Sequence, residues 1–467
     1  MTDSTHNTID SADSLTQQMA TSLVQQQEFS DATLKKAKYC LLDFLSCVHS
    51  TIHFPWVQQA LAVARTNSSM ETGGAQVYGT PYRVSVQDAA FVNAIAGHSL
   101  VRDDMHLGSV SHLGVVVIPA ALALAENKHI NGKRLLEAII CGYEAGGKLG
   151  SMLMDVETAK KIRPTGLIGA FAAAATGARL NEMDAIQTTN ALGFASNYLT
   201  GLNEWASWGR DDMNFHPGIA VRNGITAMHL AQQGATAATG SIEGSAGLFA
   251  ALGKASPASP ALPFSGKEEI QQVFFKQVPA CNYAQTAAQV ALQLKLEHTL
   301  DIDETKSITV KVPYAAANYP GCDYSGPFTS ILQARMSIHF NVASALLNGN
   351  FNDTHFQDYS NETLQQLTNI ITIEIDDALT MAYPAHQGAA ISLTDATGQT
   401  FEAILEDVIP AGTEEVLKRS GLAMATVLGE EQSNKLVELI SGLESRDNLD
   451  AMFELLSPTR LVIRNKQ

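Results

Sequence analysis

The chain has 467 residues, with 47 acidic against 30 basic side chains, a formal charge of -17 and a 45% hydrophobic content. A balance this acidic argues against a nucleic-acid backbone or an anionic membrane surface as the main partner, and an anionic ligand must be held by local Lys and Arg against the overall field. Five scattered cysteines, Cys40, Cys47, Cys141, Cys281 and Cys322, contain no CxxC pair, so neither a disulfide framework nor a zinc ribbon is indicated and a reducing compartment fits.

The N-terminal stretch MTDSTHNTIDSADS is polar and acidic. It lacks the apolar run of a secretory signal and the Arg-rich character of a mitochondrial one. From about Asp10 to Ala255 the pattern is helical and rich in Ala and Gly. Ser30 or Asp31 is placed to cap a helix whose Leu34, Ala37, Leu41, Phe44 and Leu45 form one apolar stripe. Aromatic residues make up only 7% of the chain, so these helices are expected to pack closely through small side chains. The longest uncharged apolar run, Leu113 to Ala125, falls short of the roughly 20 residues that a membrane helix needs. A cytoplasmic protein with no membrane partner is expected.

The stretch SPASPALPFSG, residues 256 to 266, interrupts the helical pattern with three prolines and marks a boundary. Beyond it the period changes. Ile308, Val310 and Val312 alternate, as do Ile371, Ile373 and Ile375, and Ile391 to Ile404 reads as a hairpin turning near Asp395 to Gly398. Helical patterns at about 283 to 297 and 329 to 347 lie among these strands, and from Glu414 onward helix returns. The fold class is therefore mainly α with an α+β second domain. Residues 1–265 form a helical part, 266–408 an inserted α+β unit, and 409–467 a helical piece too short to bury its own stripe, which packs back onto the first part.

Chemistry concentrates just before the apolar run. Asp103, Asp104, His106 and His112 form a DDxHx5H pattern after His98, and Gly108, Ser109 and Ser111 favour a loop. This is either a general acid/base group, with carboxylates orienting imidazoles that titrate near neutrality, or an Asp helix cap among ordinary polar histidines. The ligand spacing matches no standard metal site. Arg163 precedes Pro164-Thr165-Gly166 and a buried helix, while NFHPGIAVRNG sets His216 and Arg222 around Pro217. Basic groups and free N–H groups at two helix starts would clamp a polycarboxylate, unless both are simply solvent-facing ends in which Asp211 and Asp212 neutralise Arg210 or Arg222. Further on, KQVPACNYAQTA brings in Lys276 to hold a carboxylate and Tyr283 or Cys281 to donate a proton, Cys281 reading equally as a small buried hydrophobe. Arg335 and His339, one helical turn apart, face either a ligand or solvent.

Together, AAFVNAIAGHSL with DDMHLGSVSHLGVVVIPAALALAE, CGYEAGGKLG, RPTGLIGAFAAAATGARL, NFHPGIAVRNGITAMHLAQQGATAATGSIEGSAGLF, FKQVPACNYAQTA and SIHFNVASALLNGNF resemble the MmgE/PrpD (2-methylcitrate dehydratase) family over residues 13 to 460. The resemblance implies a helical domain from both ends of the chain with an α+β insert, a homodimer, a site between the domains, and no metal or organic cofactor. It also implies proton abstraction next to a carboxylate. By this comparison Asp104 and His112 match the family's first site loop, Lys276 its substrate-binding lysine and His216 the histidine of its HPG-like segment.

Three positions depart from the family pattern. Val101-Arg102-Asp103-Asp104 stands where many members read Asp-Phe-Asp-Asp, Arg163 where decarboxylases carry a histidine, and Met213 where they carry a lysine. Arg102 and Arg163 add positive charge that suits an extra or displaced substrate carboxylate. The expected function is a lyase on a small di- or tricarboxylate, most closely a 2-methylcitrate dehydratase. The alternatives are a cis-aconitate decarboxylase, an iminodisuccinate-type epimerase and a non-catalytic ligand-binding descendant. In this scheme His112 or His106 moves the proton, Asp103 and Asp104 orient the imidazoles, and Arg163, His216, Arg222, Lys276, Cys281 and Tyr283 bind substrate.

Overall fold

The computed structural model describes residues 14–67, 74–126 and 128–457; all but the last residue of the polar N-terminal stretch read for targeting lies outside them. The first long helix, α1 (Asp31–Thr51), starts where Ser30 accepts a hydrogen bond from the Thr33 N–H, and it buries Leu34, Ala37, Leu41, Phe44 and Leu45. Five more helices that matter for the site follow: α2 (Val86–His98), α3 (Gly114–Ala125), α4 (Gly132–Leu153), α5 (Pro164–Leu180) and α6 (Asp212–Gln232). Every residue of α3 is buried, which is why the apolar run carries no charge.

Small side chains let these helices approach. A Cβ added to Gly142 of α4 would lie 2.1 Å from Thr176 Oγ1 of α5, and one added to Gly224 of α6 would lie 2.4 Å from the Ala170 carbonyl. Contact at that range increases dispersion attraction along the whole interface. The first core runs from Leu15 to Phe275 and resumes from Ala411 to Leu456. The proline-rich stretch thus runs along this core, with Leu262 and Phe264 packed on it, and the chain leaves only after Phe275.

The second core gathers residues from Val278 to Leu393. Its sheet has four strands, β1 (Thr305–Val312), β2 (Ile371–Ile375), β3 (Ala389–Asp395) and β4 (Thr400–Leu405), in the order β2-β1-β3-β4. Only β1 and β2 run parallel, with Ile308 opposite Ile371, and β3–β4 is the expected hairpin. Ile308, Val310 and Val312 are all buried, but on the edge strand β2 only Ile371 is, and Ile375 is 50% exposed. Helix α7 (Gln285–Glu297) covers β3 and β4. The single helix expected over 329–347 is two, α8 (Ile331–Met336) and α9 (Ile338–Asn348), because Ser337 caps the second by accepting from the Phe340 N–H.

The last long helix, α10 (Thr413–Leu428), returns to pack on α1. The molecule is thus mainly helical with a smaller α+β part, and Val101, Ala159, Trp205 and Met213 from the first stretch are buried in the second core.

Candidate active site

Helix α2 ends on His98, and the chain then turns sharply through Val101, whose φ of 55° lies in the left-handed region. Met105 and His106 pair antiparallel with Phe274 and Val273, so a two-residue ladder ties the loop to the segment entering the second core. A bridge from His106 to Ser111 closes the turn around Gly108, and Gly114 then opens α3. This route places His98, Asp103 and His112 together, all buried.

One carboxylate oxygen organises the group. Asp103 Oδ2 lies 2.9 Å from His98 Nδ1 and 3.1 Å from His112 Nδ1, and the Asp104 carbonyl lies 3.0 Å from the same His112 nitrogen. Both neighbours of His112 Nδ1 are acceptors, so that nitrogen carries the proton and Nε2 keeps its lone pair. The Arg163 guanidinium donates to His98 Nε2, which assigns His98 the same tautomer. Burial, with Arg163 alongside, pulls the His98 pKa down to about 3. Burial also lowers His112, helped by the cations of Lys276 and Arg163 and opposed by Asp103. For Asp103 itself, burial pushes upward, but the two imidazoles outweigh it and hold the carboxyl well below its usual range. At neutral pH the group is a carboxylate holding two neutral imidazoles.

His112 faces a cleft of about 360 Å³, counted with the solvent it opens to. Val101, Met105, Val110, Arg163, Pro164 and Thr165 line it from the helical side, and Cys281, Asn282, Tyr283, Tyr319 and Met336 from the α+β side. Arg163 stands immediately before α5, is buried, and has no partner for its Nε among the described residues. Thr165 Oγ1 accepts from the His112 N–H at 3.0 Å, locking the two walls of this corner together. The Arg163 guanidinium is thus a ready carboxylate seat beside a neutral imidazole, whereas α5 opens on Pro164, which has no N–H, and the Gly166 and Leu167 N–H groups donate to the Arg163 carbonyl.

The remaining expected residues divide. Cys281 and Tyr283 line the cleft. Tyr283 exchanges a 2.9 Å hydrogen bond with Tyr383, and its phenol is pushed well above 10.0 by burial. The Cys281 thiol lies 3.7 Å from Cys322 Sγ; burial raises its pKa, but Cys322 and the Lys276 ammonium bring it below 9.0. Lys276 is fully buried behind Val101, with Nζ donating to the Val101 carbonyl at 2.7 Å. His216 sits behind Arg163, beside Gly201, and burial brings its pKa down to about 3. Neither Lys276 nor His216 lines the cleft.

Four groups are turned elsewhere. His106 Nε2 lies 2.8 Å from Glu269, and its Nδ1 accepts from the Ser109 N–H, so it pins the loop and does not enter the cleft. The Asp104 side chain accepts from Tyr143 and from the Gly114 N–H, capping α3; only its backbone carbonyl reaches His112. Arg222 pairs with Asp88 at 2.5 Å and covers the Phe91 ring, so neither Asp211 nor Asp212 is its partner. Arg102, expected to attract a carboxylate, donates to Ser46. The segment around His216 is also no helix start: α6 begins at Asp212 and carries Pro217 inside it. Arg335 and His339 are both buried and paired, with Asp353 and Asp323 respectively.

Residue-type reasoning left His98, Thr165, Asn282 and Tyr319 out of the site. Only His98 had a visible signal, an imidazole ending an Ala-rich helix five residues before Asp103. Donor atoms of His98, Asp103 and His112 lie within 4.8 Å of one another, the spacing of a metal group, but the Arg163 guanidinium against His98 opposes a cation there.

Residues 18–261 match the model of the MmgE/PrpD N-terminal domain, and residues 278–441 match that of the MmgE/PrpD C-terminal domain. Among curated proteins the chain is 30% identical over 210 residues to a cis-aconitate decarboxylase-like protein, oryM, of Aspergillus oryzae, covering 43% of each chain. It is 29% identical over 222 residues to the cis-aconitate decarboxylase of Aspergillus terreus, covering 46% of this chain and 45% of the other. The matched stretch spans less than half the length of either relative.

Proposed function

Because the chain belongs to the MmgE/PrpD family, we propose that it is a lyase that acts on a small di- or tricarboxylate by removing a proton next to a carboxylate. The observation that carries this reading is the neutral His112, held through Nδ1 by Asp103 and the Asp104 carbonyl, at the wall of a cleft that also contains Arg163.

In the first step a substrate carboxylate sits on Arg163, and His112 Nε2 takes the proton from the adjacent carbon. Asp103 stabilises the imidazolium that forms. Arg163 stabilises the charge that moves onto the substrate carboxylate. For elimination, a hydroxyl on the next carbon leaves as water with a proton from the neutral Tyr283 phenol across the cleft, as a dehydratase of the 2-methylcitrate type requires. The proton on His112 then returns to the tyrosinate through solvent. A second reading, decarboxylation, draws on the names of the two fungal relatives; there a carboxylate departs as carbon dioxide and the carbon receives a proton from the neutral Tyr283 phenol, which regains one from solvent.

Incubation with 2-methylcitrate, citrate and cis-aconitate in deuterium oxide, followed by proton NMR, separates the outcomes. A new alkene signal with loss of water supports elimination, carbon dioxide release supports decarboxylation, and deuterium entering unchanged substrate supports epimerisation. Absence of turnover and of exchange with every acid would overturn the lyase reading. A cytoplasmic homodimer belongs to the same proposal, and light scattering of the purified protein checks the dimer.

A further inference from the structure

Cys281 lines the cleft, yet the proposed reaction gives it no step. Its sulfur lies 3.7 Å from that of Cys322, and both side chains belong to the second core. The two backbones are tied to the break between α8 and α9. The Cys281 N–H donates to the Arg335 carbonyl at 2.8 Å, and the Ile338 N–H donates to the Cys322 carbonyl at 2.9 Å. A disulfide holds its sulfurs about 2.05 Å apart, so the gap closes when each sulfur advances by less than about 1 Å from an anchored backbone.

Access and charge separate the two thiols. Cys281 is 5% exposed, on the cleft, whereas Cys322 is 0% exposed. Lys276 Nζ reaches the Ala280 carbonyl at 3.4 Å, which brings an ammonium beside Cys281. Burial raises the Cys281 pKa, but the Cys322 S–H and that ammonium outweigh it. Burial pushes the Cys322 thiol well above 9.0. Cys40, Cys47 and Cys141 are buried in the first core, away from the cleft lining, and burial raises all three, Cys47 and Cys141 to about 12. Since the thiolate is the reactive form, five cysteines reduce to one nucleophile on the cleft with one thiol within reach.

We propose that Cys281 and Cys322 are a peroxide-sensitive pair, in which Cys281 is the thiol that is oxidised and Cys322 the thiol that resolves it into a reversible disulfide. The Cys281 thiolate attacks one oxygen of hydrogen peroxide and the O–O bond breaks, leaving a sulfenic acid on Cys281. The departing hydroxide takes up the proton that the thiol released. The Cys322 sulfur then attacks the sulfenic sulfur, its proton goes to the departing oxygen, and water leaves. Two thiols are oxidised to one disulfide while one peroxide is reduced to two waters. The new bond draws the Cys281 sulfur off the cleft wall, two residues before Tyr283. The pair is independent of the lyase reading, because its readout is the bond itself.

The test treats the reduced protein with hydrogen peroxide, unfolds it in N-ethylmaleimide, and maps the digest by mass spectrometry without reductant. The expected product is a linked Cys281–Cys322 peptide that dithiothreitol abolishes, formed at least about 10-fold faster than Cys40, Cys47 or Cys141 lose maleimide labelling. In Cys322→Ser the expected product is instead Cys281 carrying dimedone, a trap for sulfenic acids, and Cys281→Ser should leave Cys322 fully maleimide-labelled. The parent protein decides alone where either variant fails to fold. Maleimide on both thiols after peroxide exposure, oxidation of the first-core cysteines at an equal rate, or onward oxidation of Cys281 with no link to Cys322 would overturn the proposal.

Discussion

Asp103 spends one oxygen on two imidazoles, and their opposite attachments decide what each can do. His98 has both nitrogens occupied, by Asp103 and Arg163, so it positions and does not react. His112 keeps Nε2, and His112→Gln is expected to lower turnover about 10²–10⁴-fold, measured on the folded variant. Because its pKa lies below 6.5, kcat/KM should be flat through neutrality and fall only on the acid side of 6.5, where the imidazole takes a proton. Asp103 raises that pKa, so Asp103→Asn should move the acid limb to still lower pH while reducing kcat; a pH–rate profile checks both.

Asp104 behaves differently, since burial raises its pKa from 3.8 to about 7. The folded state then binds this proton more tightly than the unfolded chain, so the group's contribution to stability is complete below about pH 4 and is lost as pH rises to about 7. Asn can still accept from Gly114 and bond Tyr143. Urea unfolding at pH 4.5 and 7.5 should therefore show Asp104→Asn gaining on the parent as pH rises. Sequence pattern singled out this loop but ranked four side chains alike. It could not separate the residue that enters the cleft, His112, from those that build the loop, His106 and Asp104, because their partners Glu269 and Tyr143 are distant in the chain.

Among the elements, α4 packs closely against α5, the helix that follows Arg163. The Thr176 hydroxyl donates to the Ala172 carbonyl at 2.9 Å and occupies the space facing Gly142. Gly142→Ala should cost about 1–3 kcal/mol by overpacking, seen as a lower urea midpoint with unchanged slope. Most helices were readable because Ala and apolar stripes repeat at helical spacing, and the β3–β4 hairpin because alternation breaks at a Gly-containing turn. Three signals were misread. Pro217 suggested a helix start, yet α6 carries it inside its second turn. Ser337 looked like one polar residue in a long helix, yet it caps a new one, and so Arg335 and His339 diverge. Alternation along β2 promised a buried face, but an edge strand beyond its cover leaves Ile375 in solvent.

At the scale of the whole molecule, the returning C-terminal helices reach the site indirectly. Arg419 of α10 pairs with buried Asp43 of α1 at 2.5 Å and donates to the Lys276 carbonyl at 2.7 Å, joining α1, α10 and the segment entering the α+β part. Arg419→Met leaves Asp43 unpaired and should cost about 3–5 kcal/mol, with much of it recovered by adding Asp43→Asn, measured by denaturant unfolding of the three variants. The two-part architecture was legible from the change of period after residue 266. The clasp was not, since nothing local links Arg419 to Asp43 across the length of the chain.

The proton chemistry assigned to His112 is tested most directly by deuterium exchange at the carbon next to the substrate carboxylate, followed by NMR in the parent protein and in folded His112→Gln. Washed-in deuterium or deuterated product with the parent, and neither with the variant, is the predicted result. Exchange at the same rate in both would contradict it, because the proton would then be moving through another group.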